Sequence, residues 1–158
     1  MFKVLEIWSG GQTGVDRAAL DWAIENKICH TGWCPKGRKA EDGIIPEPYS
    51  LKETPSDDYS QRTEWNVRDS DGTVIFSISE NLVGGSKETL GFAQKYGRPV
   101  LHLSGERDSG NTAEKLLVDF LQKHSIERLN VAGPRASAEP EAGEFARQVL
   151  DGTLKASR

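Results

Sequence analysis

The sequence predicts a three-layer, doubly wound α/β fold, with helices on both faces of a parallel sheet of about five main strands. Apolar runs of strand length alternate with stretches of helical periodicity along the 158 residues, a pattern typical of parallel β-α-β units. The run Thr73–Ile78 is apolar and β-branched, as expected for a strand that is buried on both faces. Glycine-rich turns follow two of the strands and lead directly into helices. We expect one domain over residues 1–158, because the length suits a single core.

Residues 2–34 supply two predicted strands and one predicted helix. Phe2–Trp8 is predicted to be the first strand. Val15–Asn26 is predicted to be a helix, since its apolar residues fall at positions 15, 18, 19, 22 and 23. Thr13 and Asp16 have the spacing of a capping box at its start. Thr31–Cys34 is predicted to be a short second strand.

Residues 35–60 interrupt the alternation. This segment contains four prolines and two glycines, and structureless stretches of such length inside a domain are more often binding loops or lids than plain connections. The alternative is a solvated excursion with one short extra strand near Tyr49–Lys52. Both interpretations remain open from the sequence.

Regular elements return after residue 60, and Asn111 with Glu114 has the spacing of a second capping box. If the five main strands lie in the order 2-1-3-4-5, the chain reverses between the first and third strands, and a ligand crevice is expected there at the strand carboxyl ends. The predicted elements are helix 61–69, strand Thr73–Ile78, helix Lys87–Tyr96, strand Pro99–Leu103, helix Thr112–His124, strand Arg128–Ala132 and helix Pro140–Leu150.

Composition narrows the class of protein. The formal net charge is −4 and the sequence pI is about 5.4, which argues against a generally basic nucleic-acid-binding surface but leaves room for a local basic site. No apolar run approaches the length of a membrane span. Cys29 and Cys34 are too few for a disulfide framework. We expect no secretory leader at the amino end and therefore a reducing, cytoplasmic setting.

Three glycine-bearing loops follow strands, namely Ser9–Gly14, Gly84–Thr89 and Gly133–Ser137. Glycine permits sharp turns and close approach to backbone amides. The first N–H groups of a helix lack intrahelical partners and carry partial positive charge. Together these features predict an anion site suited to phosphate, although each loop alone could be a plain strand-to-helix turn. The candidate ligand-binding residues are Ser9, Gly10, Gly11, Gln12, Thr13, Gly14, Arg17, Lys36, Gly37, Arg38, Gly84, Gly85, Ser86, Lys87, Thr89, Gly133 and Arg135.

Catalytic candidates are scarce. No serine has an evident histidine and aspartate partner, and no metal-ligand spacing or paired-carboxylate spacing appears. We therefore assign no catalytic residue and no metal ligand. Arg62 and Asn66 are four residues apart on one predicted helix face, from which they could reach the crevice or face solvent.

Five blocks of sequence resemble the molybdenum cofactor carrier family, and the resemblance runs from about residue 4 to residue 150. The blocks are SGGQTGVDRAALDWA, GWCPKGRKAEDGIIP, RTEWNVRDSDGTVIF, GGSKET and LNVAGPRASAEP. That family belongs to a Rossmann-like group that also includes the lysine-decarboxylase-like phosphoribohydrolases and the DNA-processing protein DprA.

The resemblance implies that the ligand is molybdopterin with its molybdenum, which combines one phosphate, a planar pterin and a dithiolene. Loops Ser9–Gly14 and Gly84–Thr89 would hold its anionic part, with Lys36, Arg38 and Arg135 as supporting contacts. It also implies homo-oligomers. The cofactor would then be delivered to a molybdoenzyme, which the sequence does not identify.

The sequence departs from the phosphoribohydrolases at the residues that carry their chemistry. Their second loop reads PGGxGTxxE and ends in a catalytic glutamate. Here Lys87 replaces the third glycine, and Gly91 stands where the glutamate would be. Glu88 occupies a different position. The leading hypothesis is therefore a carrier that binds a phosphorylated ligand without chemistry. The alternative is a hydrolase acting on nucleoside monophosphates.

Overall fold

The computed structural model describes residues 3–155, and its core is a five-stranded parallel sheet flanked by helices. The predicted α/β fold class is confirmed. The elements in chain order are β1 (Glu6–Trp8), α1 (Val15–Glu25), β2 (Cys29–Thr31), β3 (Trp33–Cys34), β4 (Lys39–Ala40), β5 (Gly43–Ile44), β6 (Lys52–Glu53), α2 (Tyr59–Asp69), β7 (Gly72–Ser77), α3 (Gly84–Tyr96), β8 (Val100–Ser104), α4 (Asn111–His124), β9 (Arg128–Ala132), α5 (Ala142–Leu150) and a π-helical turn at Asp151–Lys155.

The strand order is β2-β1-β9-β7-β8, so the expected order 2-1-3-4-5 is wrong. The last strand, β9, lies between β1 and β7, with Ile7 opposite Leu129 and Val74 opposite Val131. If the strands are counted from β9 instead of from β1, the order becomes 3-2-1-4-5, as in a Rossmann sheet. The connections therefore reverse between β9 and β7. The switch-point crevice is bounded by those two strands rather than by β1 and β7.

Helices cover the sheet in two layers. Helices α1, α4 and α5 pack over one face, and α2 packs with α3 in the other layer. All six residues of β7 are buried, which agrees with its apolar, β-branched sequence. Asn130 of β9 donates a 3.1 Å hydrogen bond to the hydroxyl of Thr73 on β7. This bond satisfies polar groups of two buried side chains at the switch point.

The segment after β2 forms two small sheets. Strand β3 pairs in parallel with β6, and β4 pairs with β5 as an antiparallel hairpin. The predicted second strand, Thr31–Cys34, is therefore divided between the main sheet and β3. Beneath this segment lies a small apolar cluster of Cys34, Ala40 and Ile45. The short extra strand predicted near Tyr49–Lys52 is found at Lys52–Glu53.

Helix starts differ from the sequence prediction. Neither predicted capping box forms: α1 follows Gly14 and α4 follows Gly110, and no side chain caps either helix. Glycine occupies these positions because its φ is +85° at Gly14 and +60° at Gly110, a region that other residues avoid. Helix α2 begins two residues early, at Tyr59, because Asp58 accepts a 3.0 Å hydrogen bond from the Ser60 amide.

Two further boundaries shift. Helix α3 begins at Gly84, three residues before the predicted start, and β1 begins at Glu6. Phe2, at the start of the predicted first strand, lies outside the described residues. Within residues 3–155, no helix is both long enough and apolar enough to cross a bilayer.

Candidate ligand-binding crevice at the strand carboxyl ends

A cavity of about 150 Å³ lies where β1, β7 and β9 end. Eight sequence-predicted residues line it: Gly10, Gln12, Gly84, Gly85, Ser86, Thr89, Gly133 and Arg135. The remaining lining residues are Asp16, Arg62, Thr63, Asn66, Val83, Asn130, Val131, Ala132, Pro134 and Ala138. The first two glycine loops, which are distant in sequence, therefore meet at one crevice.

The first turn of α3 supplies the wall formed by the second loop. Val83 precedes the helix in extended conformation, and no side chain caps the helix start. The hydroxyl of Ser86 has no hydrogen-bond partner although the residue is only 6% exposed. The neighbouring Thr89 hydroxyl is occupied, because it donates to the Gly85 carbonyl at 2.9 Å. Uncapped amides and an unpaired hydroxyl at a helix start favour an anion.

Gln12 supplies a second unpaired polar group from the first loop. Its side-chain oxygen accepts hydrogen bonds from the backbone amides of Thr13 at 3.0 Å and Glu41 at 2.9 Å. Its amide nitrogen is buried and has no partner. Because the oxygen is held by two donors, the nitrogen is the end left to donate to a ligand.

The other residues of the first loop shape the turn. The Ser9 hydroxyl donates to the Asp16 carbonyl at 2.9 Å and accepts from the Gly11 amide at 3.3 Å. Gly14 has φ +85°, and a side chain there would come within 2.5 Å of the Pro134 carbonyl. Thr13 donates its hydroxyl to Glu41 and accepts from the Ala136 amide. These contacts hold the loops after β1 and β9 together.

Arg62 and Asp16 form a buried charged pair in the cavity wall. The Arg62 guanidinium donates to the Gly10 carbonyl at 2.8 Å and lies 3.7 Å from the Asp16 carboxylate. A Cβ atom on Gly10 would sit 2.6 Å from that guanidinium, so a side chain at this position would require Arg62 to shift. Burial raises the pKa of Asp16 to about 6, and the opposing effects of Arg62 and the Gln12 amide are too weak to offset it.

Nine of the predicted site residues do not line the cavity. Four of them, Ser9, Gly11, Thr13 and Gly14, belong to the first loop, and the other five are Arg17, Lys36, Gly37, Arg38 and Lys87. Arg17 forms a two-pronged pair with Asp42 at 2.6 and 2.8 Å. Arg38 donates to the carbonyls of residues 45, 46 and 49 and so braces the long segment. The Gly37 amide donates to Glu53, and the Lys36 and Lys87 side chains are exposed.

For several residues that line the cavity, the neighbouring sequence gave little indication of a place in the binding site. Arg62 and Asn66 share a helix face as expected, and both line the cavity, which resolves that alternative in favour of the crevice. Asp16 was interpreted only as a capping residue. Asn130 lies inside an apolar strand, and its position became informative only once β9 was placed at the switch point.

The residues that would carry phosphoribohydrolase chemistry lie elsewhere. Glu88 is exposed on α3 and accepts from the Ser60 hydroxyl at 3.2 Å. Gly91 is also exposed, and a Cβ atom added at this position would meet nothing within 4 Å. Over residues 3–155, no three His, Cys, Asp or Glu side chains are grouped so as to hold a metal ion. Cys29 is exposed and Cys34 is buried.

The strand order and the polar crevice at the switch point place the molecule in the doubly wound, Rossmann-like class. Residues 7–154 match the circularly permutated YpsA SLOG family, and the chain belongs to that family. The permutation agrees with the strand order, which becomes that of a Rossmann sheet when counting begins at β9.

A solved structure is closely similar. It is the crystal structure from Syntrophus aciditrophicus SB of a protein named "Putative molybdenum carrier protein". The two chains are 49% identical, the match covers 96% of this chain and 95% of that one, and the TM-score is 0.94. The resemblance to the molybdenum carrier family is thereby confirmed. No curated protein sequence matches the chain.

Proposed function

We propose that this protein is a molybdenum cofactor carrier that holds the phosphate of molybdopterin in the crevice. The observation that carries the proposal is a pair of unpaired buried groups, the Gln12 amide nitrogen and the Ser86 hydroxyl, in two residues that line one cavity from two loops. Leaving a buried polar group unpaired costs about 1–3 kcal/mol. Such a cost, incurred twice in one cavity, is best explained by a ligand that pairs both groups.

Phosphate suits these donors. The Gly84–Ser86 turn presents backbone amides at a helix start, and the helix dipole favours negative charge there. Arg62 adds a guanidinium to the wall, held by the Gly10 carbonyl. Phosphate oxygens accept hydrogen bonds from all of these groups, so a phosphate would pair both Gln12 and Ser86.

The cavity would receive one end of the ligand. Its volume of about 150 Å³ is below the roughly 300–1,000 Å³ of pockets that enclose a whole drug-sized molecule. The pterin would therefore lie at the mouth, where Val83 is 73% exposed. The molybdenum would be cargo carried on the pterin dithiolene.

Binding of purified molybdopterin tests the proposal. We expect wild-type protein to bind it, inorganic phosphate to compete, and Ser86→Ala to weaken both ligands at least fivefold, because the hydroxyl is lost. Ser109→Ala, which removes an exposed hydroxyl away from the cavity, is the matched control. If Ser86→Ala binds both ligands like wild type, the crevice is not the phosphate site.

A second candidate is hydrolysis of a nucleoside monophosphate, and Asp16 is the observation that favours it. A carboxyl group with a pKa of about 6 in a polar cavity is suited to general acid–base chemistry. Incubation with AMP and measurement of free adenine distinguishes the candidates. Release of adenine by wild type and its loss in Asp16→Asn would favour the hydrolase, whereas AMP binding without release favours the carrier.

The assembly and delivery steps stay predictions of the family resemblance. We expect a homo-oligomer, which light scattering after size-exclusion chromatography would measure. Delivery would require a molybdoenzyme that accepts the cofactor.

A further inference from the structure

Three cationic side chains surround one aromatic ring beside the crevice. Measured to the centre of the Tyr59 ring, the Lys39 ammonium lies at 4.5 Å, the Arg62 guanidinium at 5.2 Å and the Arg135 guanidinium at 5.6 Å. Tyr59 opens α2, whereas Lys39 lies on the β4–β5 hairpin and Arg135 on the loop after β9. Three separate segments thus bring positive charge to one ring.

Most of that charge is uncompensated. Arg62 has a carboxylate nearby, that of Asp16 at 3.7 Å, which leaves Lys39 and Arg135 as the two cations to account for. Among the described residues, no carboxylate forms an ion pair with Lys39 or Arg135. Glu41 acts on Arg135 at longer range, and its oxygens already accept from the Ser137 amide and hydroxyl and from Thr13.

The ring holds these cations in place. A cation over an aromatic face is attracted by the ring quadrupole, so the Tyr59 ring favours the placement of Lys39 and Arg135 beside it. Both are exposed, and Arg135 also lines the cavity. Ordered, unpaired positive charge at the mouth favours an anion on the ligand portion that the small cavity leaves outside.

We propose that Lys39 and Arg135, packed on Tyr59, form a second anion subsite at the mouth of the crevice. The ligand then carries two anionic groups, one at Gln12 and Ser86 and one at the mouth. This inference rests on the proposed function and narrows its ligand class. The outer group is the oxomolybdenum–dithiolene end of the pterin or the terminal phosphate of a nucleoside diphosphate. Both are anionic and accept hydrogen bonds from the same kind of donors.

Crystals soaked in sodium tungstate, a heavy tetrahedral oxyanion, test the two subsites separately. We expect one anomalous peak within hydrogen-bond distance of Gln12 and Ser86 and a second on Lys39 and Arg135. An inner peak without an outer one overturns the second subsite and leaves the proposed function standing. An outer peak without an inner one supports the subsite and counts against the proposed function. The absence of both peaks overturns both.

The double variant Lys39→Ala/Arg135→Gln should lose the outer peak and keep the inner one. Both side chains are exposed, so we expect the fold to persist. Lys115→Ala, which removes an exposed charge on α4, is the matched control and should keep both peaks. An outer peak that survives in the double variant overturns the assignment.

Calorimetry distinguishes the two sources of the outer anion. We expect Arg135→Gln to weaken binding of molybdenum-loaded molybdopterin or of ADP at least fivefold and of AMP less than twofold. A loss confined to molybdopterin assigns the subsite to the metal end, and a loss confined to ADP assigns it to a second phosphate. An equal effect on all three ligands, or on none, overturns the proposal.

Discussion

The backbone amide of Glu41 donates a 2.9 Å hydrogen bond to the side-chain oxygen of Gln12. The bond joins the β4–β5 hairpin to the first glycine loop. It also determines which end of the Gln12 side-chain amide remains available to hydrogen-bond a ligand. The buried nitrogen, which has no partner, is thereby left as the free donor of a residue that lines the cavity. A hairpin in the long proline-containing segment thus orients a residue that lines the crevice.

Gln12→Glu should abolish much of the phosphate affinity while preserving the fold. Glutamate keeps an oxygen for the Thr13 and Glu41 amides but replaces the free donor with negative charge. We expect phosphate affinity to fall at least about tenfold, the equivalent of about 1.4 kcal/mol. Calorimetry measures the affinity, and Gln122→Glu, the same change at an exposed position on α4, serves as control. Unchanged affinity in Gln12→Glu would show that the nitrogen does not face the ligand.

Asp16→Asn should stabilise the protein in a pH-dependent way. Folding raises the pKa of this carboxyl from 3.8 to about 6, so the folded state disfavours the ionised form. In the wild type, the contribution of the Asp16 carboxyl group to the free energy of unfolding is fully present below pH 3.8. It is lost as the pH rises through about 6. Relative to the wild type, the free energy of unfolding of the variant should therefore be higher by on the order of 2–3 kcal/mol at pH 8, since one pKa unit corresponds to about 1.4 kcal/mol. Below pH 4 the two proteins should be equally stable.

Urea unfolding at pH 4 and pH 8 measures this difference. Asp119→Asn, a change at an exposed position on α4, controls for the loss of one negative charge. A stabilisation of Asp16→Asn that is the same at both pH values would contradict the assigned pKa.

Glu88→Gln should leave phosphate affinity within twofold of wild type. Glu88 is exposed, accepts from the Ser60 hydroxyl and does not line the cavity. If adenine release from AMP is detected, the variant should retain it as well. A loss of phosphate affinity would mean that this carboxylate acts on the site. A loss of adenine release would assign it a part in hydrolysis, and the carrier interpretation would fail.

Gly14→Ala should be strongly destabilising. The position has φ +85°, and an added Cβ would lie 2.5 Å from the Pro134 carbonyl and 2.8 Å from the Ala136 amide. Backbone on both sides cannot rearrange cheaply, so we expect a loss of at least about 2 kcal/mol in the free energy of unfolding.

Gly91→Ala is the contrasting variant. This glycine lies within α3, and an added Cβ would meet nothing within 4 Å. Alanine should raise the free energy of unfolding by about 0.5–1 kcal/mol, because glycine is a poor helix former. Equal effects at Gly14 and Gly91 in urea unfolding would contradict the steric argument.

The predictions from sequence were most reliable where a pattern is local. The helical stripe on α4 correctly identified Ala113, Leu117, Phe120 and Leu121 as buried; Leu116, on the same stripe, is 38% exposed. Such stripes are visible because one helix repeats its inward face every three or four residues.

Strand order was wrong because it is not a local property. The insertion of β9 between β1 and β7 brings Asn130 beside Thr73, a residue 57 positions earlier in the chain. No pattern within the sequence of either strand specifies which strand it pairs with. It depends on which strand edge buries the most surface once all the helices have packed.

The α/β class, the five helices, the strands of the main sheet and the two glycine loops could be inferred from the sequence alone, since periodicity and glycine placement act through neighbouring residues. Which groups share the crevice depended on the tertiary structure. It placed Asp16, Arg62 and Asn130 in the wall, and it paired Arg17 with Asp42 away from the cavity. The reason is that a binding site consists of residues that are close together in the folded structure, and long-range packing sets the distances between residues far apart in the chain.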